Sequence, residues 1–234
     1  MSQEFTFDEA SHTYRLDGVK MTGVTTILQV IAKPMLIPWA VKMCTEHIMS
    51  NCEKSDDKWL VSEEELEEAK VAHRKKKEKA GDVGTLVHDA VEDYVKNGSI
   101  PELPENVMIM FNEFKSWYDE GNYTLVESEK KLYSEKHFYA GTVDLVIEDK
   151  EGKRFVADIK TSGGVYPEYY AQMGGYHIAY DEMGNEHPIS GYIIIHIPKT
   201  GKKSEQYMFH DTDMCKEFFL NALGIYRSLN NFKF

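Results

Sequence analysis

Two short segments that can pair in only one sensible register constrain this chain more than any other feature. Val143–Glu148 and Arg154–Lys160 alternate along their length and flank a polar, glycine-containing turn, which is the pattern of a β-hairpin. Pairing Glu148 with Arg154 puts Ile147 opposite Phe155, Val146 opposite Val156, and Leu145 opposite Ala157. One face then carries Val143, Leu145, Ile147, Phe155, Ala157 and Ile159. The other carries the Glu148–Arg154 ion pair, two valines, and Asp144, Asp158 and Lys160. A slip by one residue mixes the two faces and loses the ion pair. The predicted register also sets Asp144 directly opposite Asp158, with β-carbons about 5 Å apart.

Like charges at that separation repel, so one acid is protonated or something positive lies between them. Lys160, two residues past Asp158 on the same face, supplies one positive charge. A divalent cation would supply the rest, and carboxylate oxygens suit Mg²⁺ or Mn²⁺, which bind phosphate and activate water. The plain alternative is a solvated charged patch without chemistry, the usual fate of a charged strand face.

Around the hairpin the periodicity predicts a short N-terminal β unit over residues 3–30, turning at Asp17-Gly18, with a short helix near Ile27–Ile31. A helix is expected over Trp39–Met49. Ser62 and Glu65 form a capping box that opens a long helix to about Ala80, broken by Gly81 and Gly84 before a second one over Thr85–Lys96. A third spans about Glu105–Asp119, with Val107, Met110, Phe111, Phe114 and Trp117 on one face. Strands are expected at Leu125–Tyr133, Gly191–Ile197 and Glu205–Phe209, the last after a turn at Thr200-Gly201-Lys202. Pro167 opens a helix to Glu182, and Asp211 or Thr212 caps a closing amphipathic helix. The expected fold is an α/β restriction-endonuclease-like core, a mixed β-sheet flanked by helices, in one domain. Residues 1–80 would form an N-terminal β/helical extension and 81–234 the core.

The composition, 42% hydrophobic and 28% charged, is that of an ordinary globular chain. No apolar run approaches the roughly 20 residues that span a bilayer, and the first residues lack a signal pattern, so a cytoplasmic protein is expected. Cys44, Cys52 and Cys215 are scattered and suggest neither zinc nor disulfides. The net charge of −12 opposes phosphate binding globally, but Ala69–Ala80 holds six Lys or Arg against one Glu. Four consecutive bases there point around most of a helix, so not all can face one ligand.

Four ordered elements resemble the PD-(D/E)XK nuclease superfamily: Gly84-Thr85-Leu86-Val87-His88, Gly141-Thr142-Val143-Asp144, Asp158-Ile159-Lys160, and Gln172 with Tyr176. The first is similar to the G-x-x-x-H element of the RecB-type branch. His12-Thr13-Tyr14-Arg15-Leu16-Asp17-Gly18 and Leu36-Ile37-Pro38-Trp39 resemble the lead-in of small phage-encoded exonucleases of that branch. The resemblance implies His88, Asp144, Asp158 and the Ile159 carbonyl as metal ligands and Lys160 as the group that orients the attacking water. Gln172 and Tyr176 would brace the site and contact the DNA backbone. Glu129 matches an acidic position of the branch, with Glu127 on the same face as the competing choice. With Asp158 in place of the commoner Glu, the second acid is shorter but adequate as a ligand. Only Cys215 lies where some relatives hold three cluster cysteines, so no iron–sulfur cluster is expected.

The implied activity is an Mg²⁺- or Mn²⁺-dependent DNA exonuclease in recombination, repair or phage DNA processing, in a bacterial or phage-infected cell. An endonuclease of structure-specific or CRISPR type, or an inactive DNA-binding subunit, would keep the same motifs. Gly174 and Gly175, inside a predicted helix, suggest a close backbone approach, to the hairpin or to DNA. Tyr166, Tyr169 and Tyr170 are stacking or rim residues, and Trp39 and Trp117 are read as core.

Overall fold

The computed structural model describes residues 4–185, 187–199 and 203–232. Its order is β1 (Phe5–Asp8), β2 (Thr13–Leu16), β3 (Val19–Lys20), β4 (Thr22–Gly23), α1 (Val24–Ile27), α2 (Leu36–Asn51), β5 (Glu53–Ser55), β6 (Lys58–Leu60), α3 (Glu63–Asn97) and α4 (Glu105–Gly121). There follow β7 (Thr124–Ser134), β8 (Tyr139–Glu148), β9 (Arg154–Lys160), α5 (Pro167–Glu182), β10 (Ile189–His196), β11 (Glu205–Phe209) and α6 (Thr212–Asn231). The turn expected at Thr200-Gly201-Lys202 lies outside the described residues. No described helix is long and apolar enough to cross a membrane.

The chain divides into two compact units, Met1–Ile31 with Leu86–Phe234, and Ala32–Thr85. The N-terminal strands thus group with residues 86–234, whereas the sequence reading grouped them with the segment up to residue 80. The cause is pairing: β4 adds to the main sheet alongside Tyr139 and Ala140 of β8.

The first unit is a mixed α/β structure. Its sheet runs β11-β10-β9-β8-β4, with β7 pairing β8 as well. β9 and β10 are parallel, as are β4 and β8, and the remaining pairs are antiparallel. The β8–β9 register follows the expected one from Glu148↔Arg154 to Leu145↔Ala157, with the ion pair at its tip. On one side Val146 and Val156 join a core with Met173, Tyr176 and Tyr180 of α5 and Phe219 and Leu223 of α6. Leu145, Ile147, Phe155, Ala157 and Ile159 are buried too, so both faces are covered. α4 buries Val107, Met110, Phe111 and Phe114. Trp117, expected in the core, is only half-buried and donates its indole N–H to Gln206 Oε1 at 2.7 Å, a use of the polar edge common for Trp.

The Cα sides of Gly174 and Gly175 face α6, while the Gly175 carbonyl accepts the Tyr139 hydroxyl of β8 at 2.6 Å. A Cβ on Gly174 would lie 2.2 Å from the Cys215 carbonyl oxygen, and one on Gly175 would lie 2.8 Å from the Phe219 ring. Gly174 lets α5 meet the α6 backbone and Gly175 seats the Phe219 ring, approaches that any larger residue would block.

In the second unit, Trp39 is half-buried against His73 rather than core. The β5–β6 hairpin, turning at Asp56 with a left-handed φ of 52°, carries no apolar alternation that would announce it. Ser62 and Glu65 form the expected capping box: Ser62 N–H donates to Glu65 Oε2 at 2.7 Å, and Glu65 N–H to Ser62 Oγ at 3.2 Å.

α3 is continuous through Gly81 and Gly84, where a break was expected. Two glycines cost a helix about 2 kcal/mol. Asp82, Val83 and Thr85 beside them are poor helix formers too, but Val87, Ala90 and Val91 bury one stripe beyond them. That burial outweighs the glycine cost.

Candidate metal centre

The site is assembled by an irregularity in β7. Its pairing with β8 shifts by one residue between Leu125 and Glu127, as an extra residue in one strand does. Ladder pairs Ser128↔Leu145 and Lys130↔Val143 follow, which leaves Glu129 opposite Asp144. Without the shift Ser128 would sit there. Glu129 adopts a left-handed φ of 49°, at a cost of about 1–2 kcal/mol for a residue with a Cβ. Glu127 pairs instead with Lys130. Of the two acids left open by the sequence, Glu129 is the one in the site.

His88 comes from the later part of α3, and its Nδ1 lies 3.4 Å from Asp144 Oδ2. One ligand atom each from His88, Glu129 and Asp144 falls within 4.8 Å of the others. Burial pushes the Glu129 carboxyl above its ordinary pKa, and the Asp144 charge pushes it further. Holding such groups together favours a bound cation.

The rung expected between Asp144 and Asp158 is not made. The β8–β9 ladder stops one pair earlier, at Leu145↔Ala157. Asp144 Oδ2 accepts the Ile159 N–H at 2.9 Å, so its side chain takes the place of a backbone partner there. Ile159 therefore enters the site through its amide.

Asp158 is 1% exposed, and its two oxygens make no hydrogen bond of good geometry within the chain. Its contact is an ion pair, Oδ2 to Lys160 Nζ at 2.7 Å. Burial pushes its pKa up to about 6; Lys160 opposes the rise and Asp144 adds to it. Burial works against the Lys160 charge, but Asp158 and Asp144 outweigh it and hold the ammonium form.

Lys160 also donates to Gln172 Oε1 at 3.1 Å, and Gln172 Nε2 donates to the Tyr176 hydroxyl at 2.7 Å. Its Nζ lies 4.7 Å from the centre of the Tyr169 ring. Burial raises the Tyr176 phenol well above its ordinary pKa, so it stays neutral. Gly141 makes room for this ring, since a Cβ there would sit 2.6 Å from Tyr176 Cε1. The glycine of one motif and the tyrosine of another are thus one packing unit. Tyr166 and Tyr169 meet edge to face, whereas Tyr170 packs on Phe209.

Glu129, Asp144, Gln172 and Tyr176 open onto a cavity of about 590 Å³, within the usual range for ligand pockets. Lys20 and Thr25 line it from the N-terminal segment. The resemblance over His12–Gly18 marks that segment without placing it at the site, because the parallel pairing of β4 with β8 joins residues more than a hundred positions apart. Tyr14 fastens it, with its hydroxyl 2.7 Å from Thr142 Oγ1.

No family model and no curated protein matches the chain. Among solved structures, SSO0001 aligns over 82% of this chain and 86% of that one, at 14% identity and a TM-score of 0.31. A likeness at that level carries no argument about function.

Proposed function

We propose that this chain is a divalent-cation-dependent nuclease of PD-(D/E)XK type that hydrolyses DNA phosphodiester bonds, and more narrowly an exonuclease. The observation that carries the reading is the convergence of His88, Glu129 and Asp144 beside a buried Asp158–Lys160 pair. The donor set fits a metal: two carboxylates and an imidazole within 4.8 Å, next to a buried carboxylate without a hydrogen bond. His88, Glu129, Asp144 and Asp158 would hold the ion, with the Ile159 carbonyl as the further ligand the motif resemblance implies. When bound, it supplies Lewis acidity toward a phosphate oxygen and makes water a nucleophile near neutral pH. An imidazole among the ligands suits Mn²⁺ at least as well as Mg²⁺.

The protein's own groups divide the remaining work. Lys160 brings a fixed positive charge to the place where a phosphorane gathers negative charge, and its N–H groups orient the attacking water. Gln172 and Tyr176 hold Lys160 in place, which limits the reorganisation needed during reaction. The exonuclease reading rests on the resemblance of the N-terminal motifs to small phage enzymes. DNA is the proposed partner and the cytoplasm the proposed compartment.

The test is a cleavage time course on end-labelled linear DNA and on a covalently closed circle, with Mg²⁺, Mn²⁺ or EDTA. Cleavage that needs the cation and spares the circle supports the reading. Lys160→Ala is expected to abolish cleavage and leave DNA binding largely in place; unchanged cleavage in that variant rejects the mechanism.

A further inference from the structure

Within the second unit, α2 and α3 enclose a groove of about 400 Å³. Ala72, Lys75, Lys76 and Lys79 line it from α3, and His47 and Asn51 are among the α2 residues opposite. The α3 residues follow the i, i+3, i+4, i+7 spacing of one helix face. Arg74 and Lys77, between them, fall on the other side of the helix. The basic run is thereby sorted: three of its lysines share one surface.

The nearby acids are already engaged. Glu68 takes Lys75 at 3.2 Å and lies 3.7 Å from His47 Nε2, while Glu46 pairs with Lys42 at 3.5 Å. Lys76 and Lys79 make no ion pair or hydrogen bond among the described residues, and both are exposed. Ala72, a small lining residue, leaves room for an anion, and the Asn51 amide is held by donating to the His47 carbonyl at 2.8 Å. In a chain of net charge −12, a face that keeps two exposed lysines without an ion pair among the described residues, beside the groove-lining Glu46 that Lys42 engages, is where a polyanion gains most.

We infer that this groove binds the sugar–phosphate backbone of a DNA strand, with Lys75, Lys76 and Lys79 as phosphate contacts. The choice of DNA over another phosphate-bearing ligand rests on the nuclease reading. Contacts of this kind position a strand and carry no sequence preference. Each lysine releases counterions on binding, so the groove is read by salt dependence.

The experiment measures binding of a fluorescent oligonucleotide to full-length protein in EDTA across a salt series. Wild type is compared with Lys75→Ala/Lys76→Ala/Lys79→Ala and with the triple arginine variant. The alanine variant is expected to lower the slope of log K against log salt by about 2 to 3, and the arginine variant to restore it. With cation present, KM for a long substrate should rise while kcat holds.

An unchanged slope and affinity in the alanine variant overturns the groove assignment, and wild-type cleavage in the same preparation then leaves the nuclease reading standing. Wild-type protein without cation-dependent cleavage, but with a slope that the variant loses, supports the groove and rejects the nuclease. Inorganic phosphate binding lost in the alanine variant, with oligonucleotide binding unchanged, overturns the assignment to a strand.

Discussion

Replacing Asp158 by Asn is expected to stabilise the cation-free protein, and to do so only where the aspartate is ionised. Asp158 is 1% exposed and its pKa rises from 3.8 to about 6. A carboxyl whose pKa is raised by folding contributes nothing while both states are protonated, and opposes folding increasingly as pH climbs from the unfolded toward the folded value. The unfolded chain loses its proton first, so the wild-type penalty grows from pH 4 upward and levels off above pH 6. A shift of about two units corresponds to about 3 kcal/mol at full ionisation. The variant's advantage is then about 1 kcal/mol at pH 4.5 and about 3 kcal/mol at pH 7.5. Lys160 is held as ammonium in the wild type at both values, and Asp144 remains beside it in the variant. Urea denaturation of both proteins in EDTA measures the gap, and millimolar Mn²⁺ should narrow it by stabilising wild type selectively. A gap that is the same at pH 4.5 and pH 7.5 refutes the reasoning, because a packing effect would not titrate.

Three further outcomes follow from the geometry. Gly174→Ala puts a methyl group against the Cys215 carbonyl and should cost about 3 kcal/mol, a fall in Tm of roughly 6–12 °C by calorimetry. Glu129→Gly removes a ligand but also the left-handed strain, so stability in EDTA should stay within about 1 kcal/mol of wild type. The rise in Tm on adding Mn²⁺ should nevertheless largely disappear, and a full rise in that variant would remove Glu129 from the site. Tyr176→Phe deletes the acceptor for Gln172 Nε2 and should lower kcat with little change in KM, measured by steady-state cleavage.

The hairpin was legible because alternation, the tip ion pair and the turn all demand one register, and β8 and β9 pair in it. Its end was not legible. Strand alternation places side chains on faces but does not say where a carboxylate will take over an amide, as Asp144 does at Ile159. His88, Lys160, Gln172 and Tyr176 fall beside the acids through motif order, whereas the choice between Glu127 and Glu129 needed the bulge, which no residue pattern marks. The two glycine pairs show opposite sides of one rule. Gly174 and Gly175 serve a helix contact that only the fold reveals, and Gly81 and Gly84 sit in a helix that propensity alone would have stopped.

The shifted frame of β7 makes this site sensitive to chain length rather than to residue identity alone. Removing Ser128 keeps every ligand in the sequence but moves Glu129 back one place and sets Lys130 opposite Asp144. Inserting one elsewhere between the bulge and Glu129 does comparable harm. Within that short stretch, deletions and insertions should be far worse tolerated than substitutions, even though none of its side chains before Glu129 belongs to the cluster.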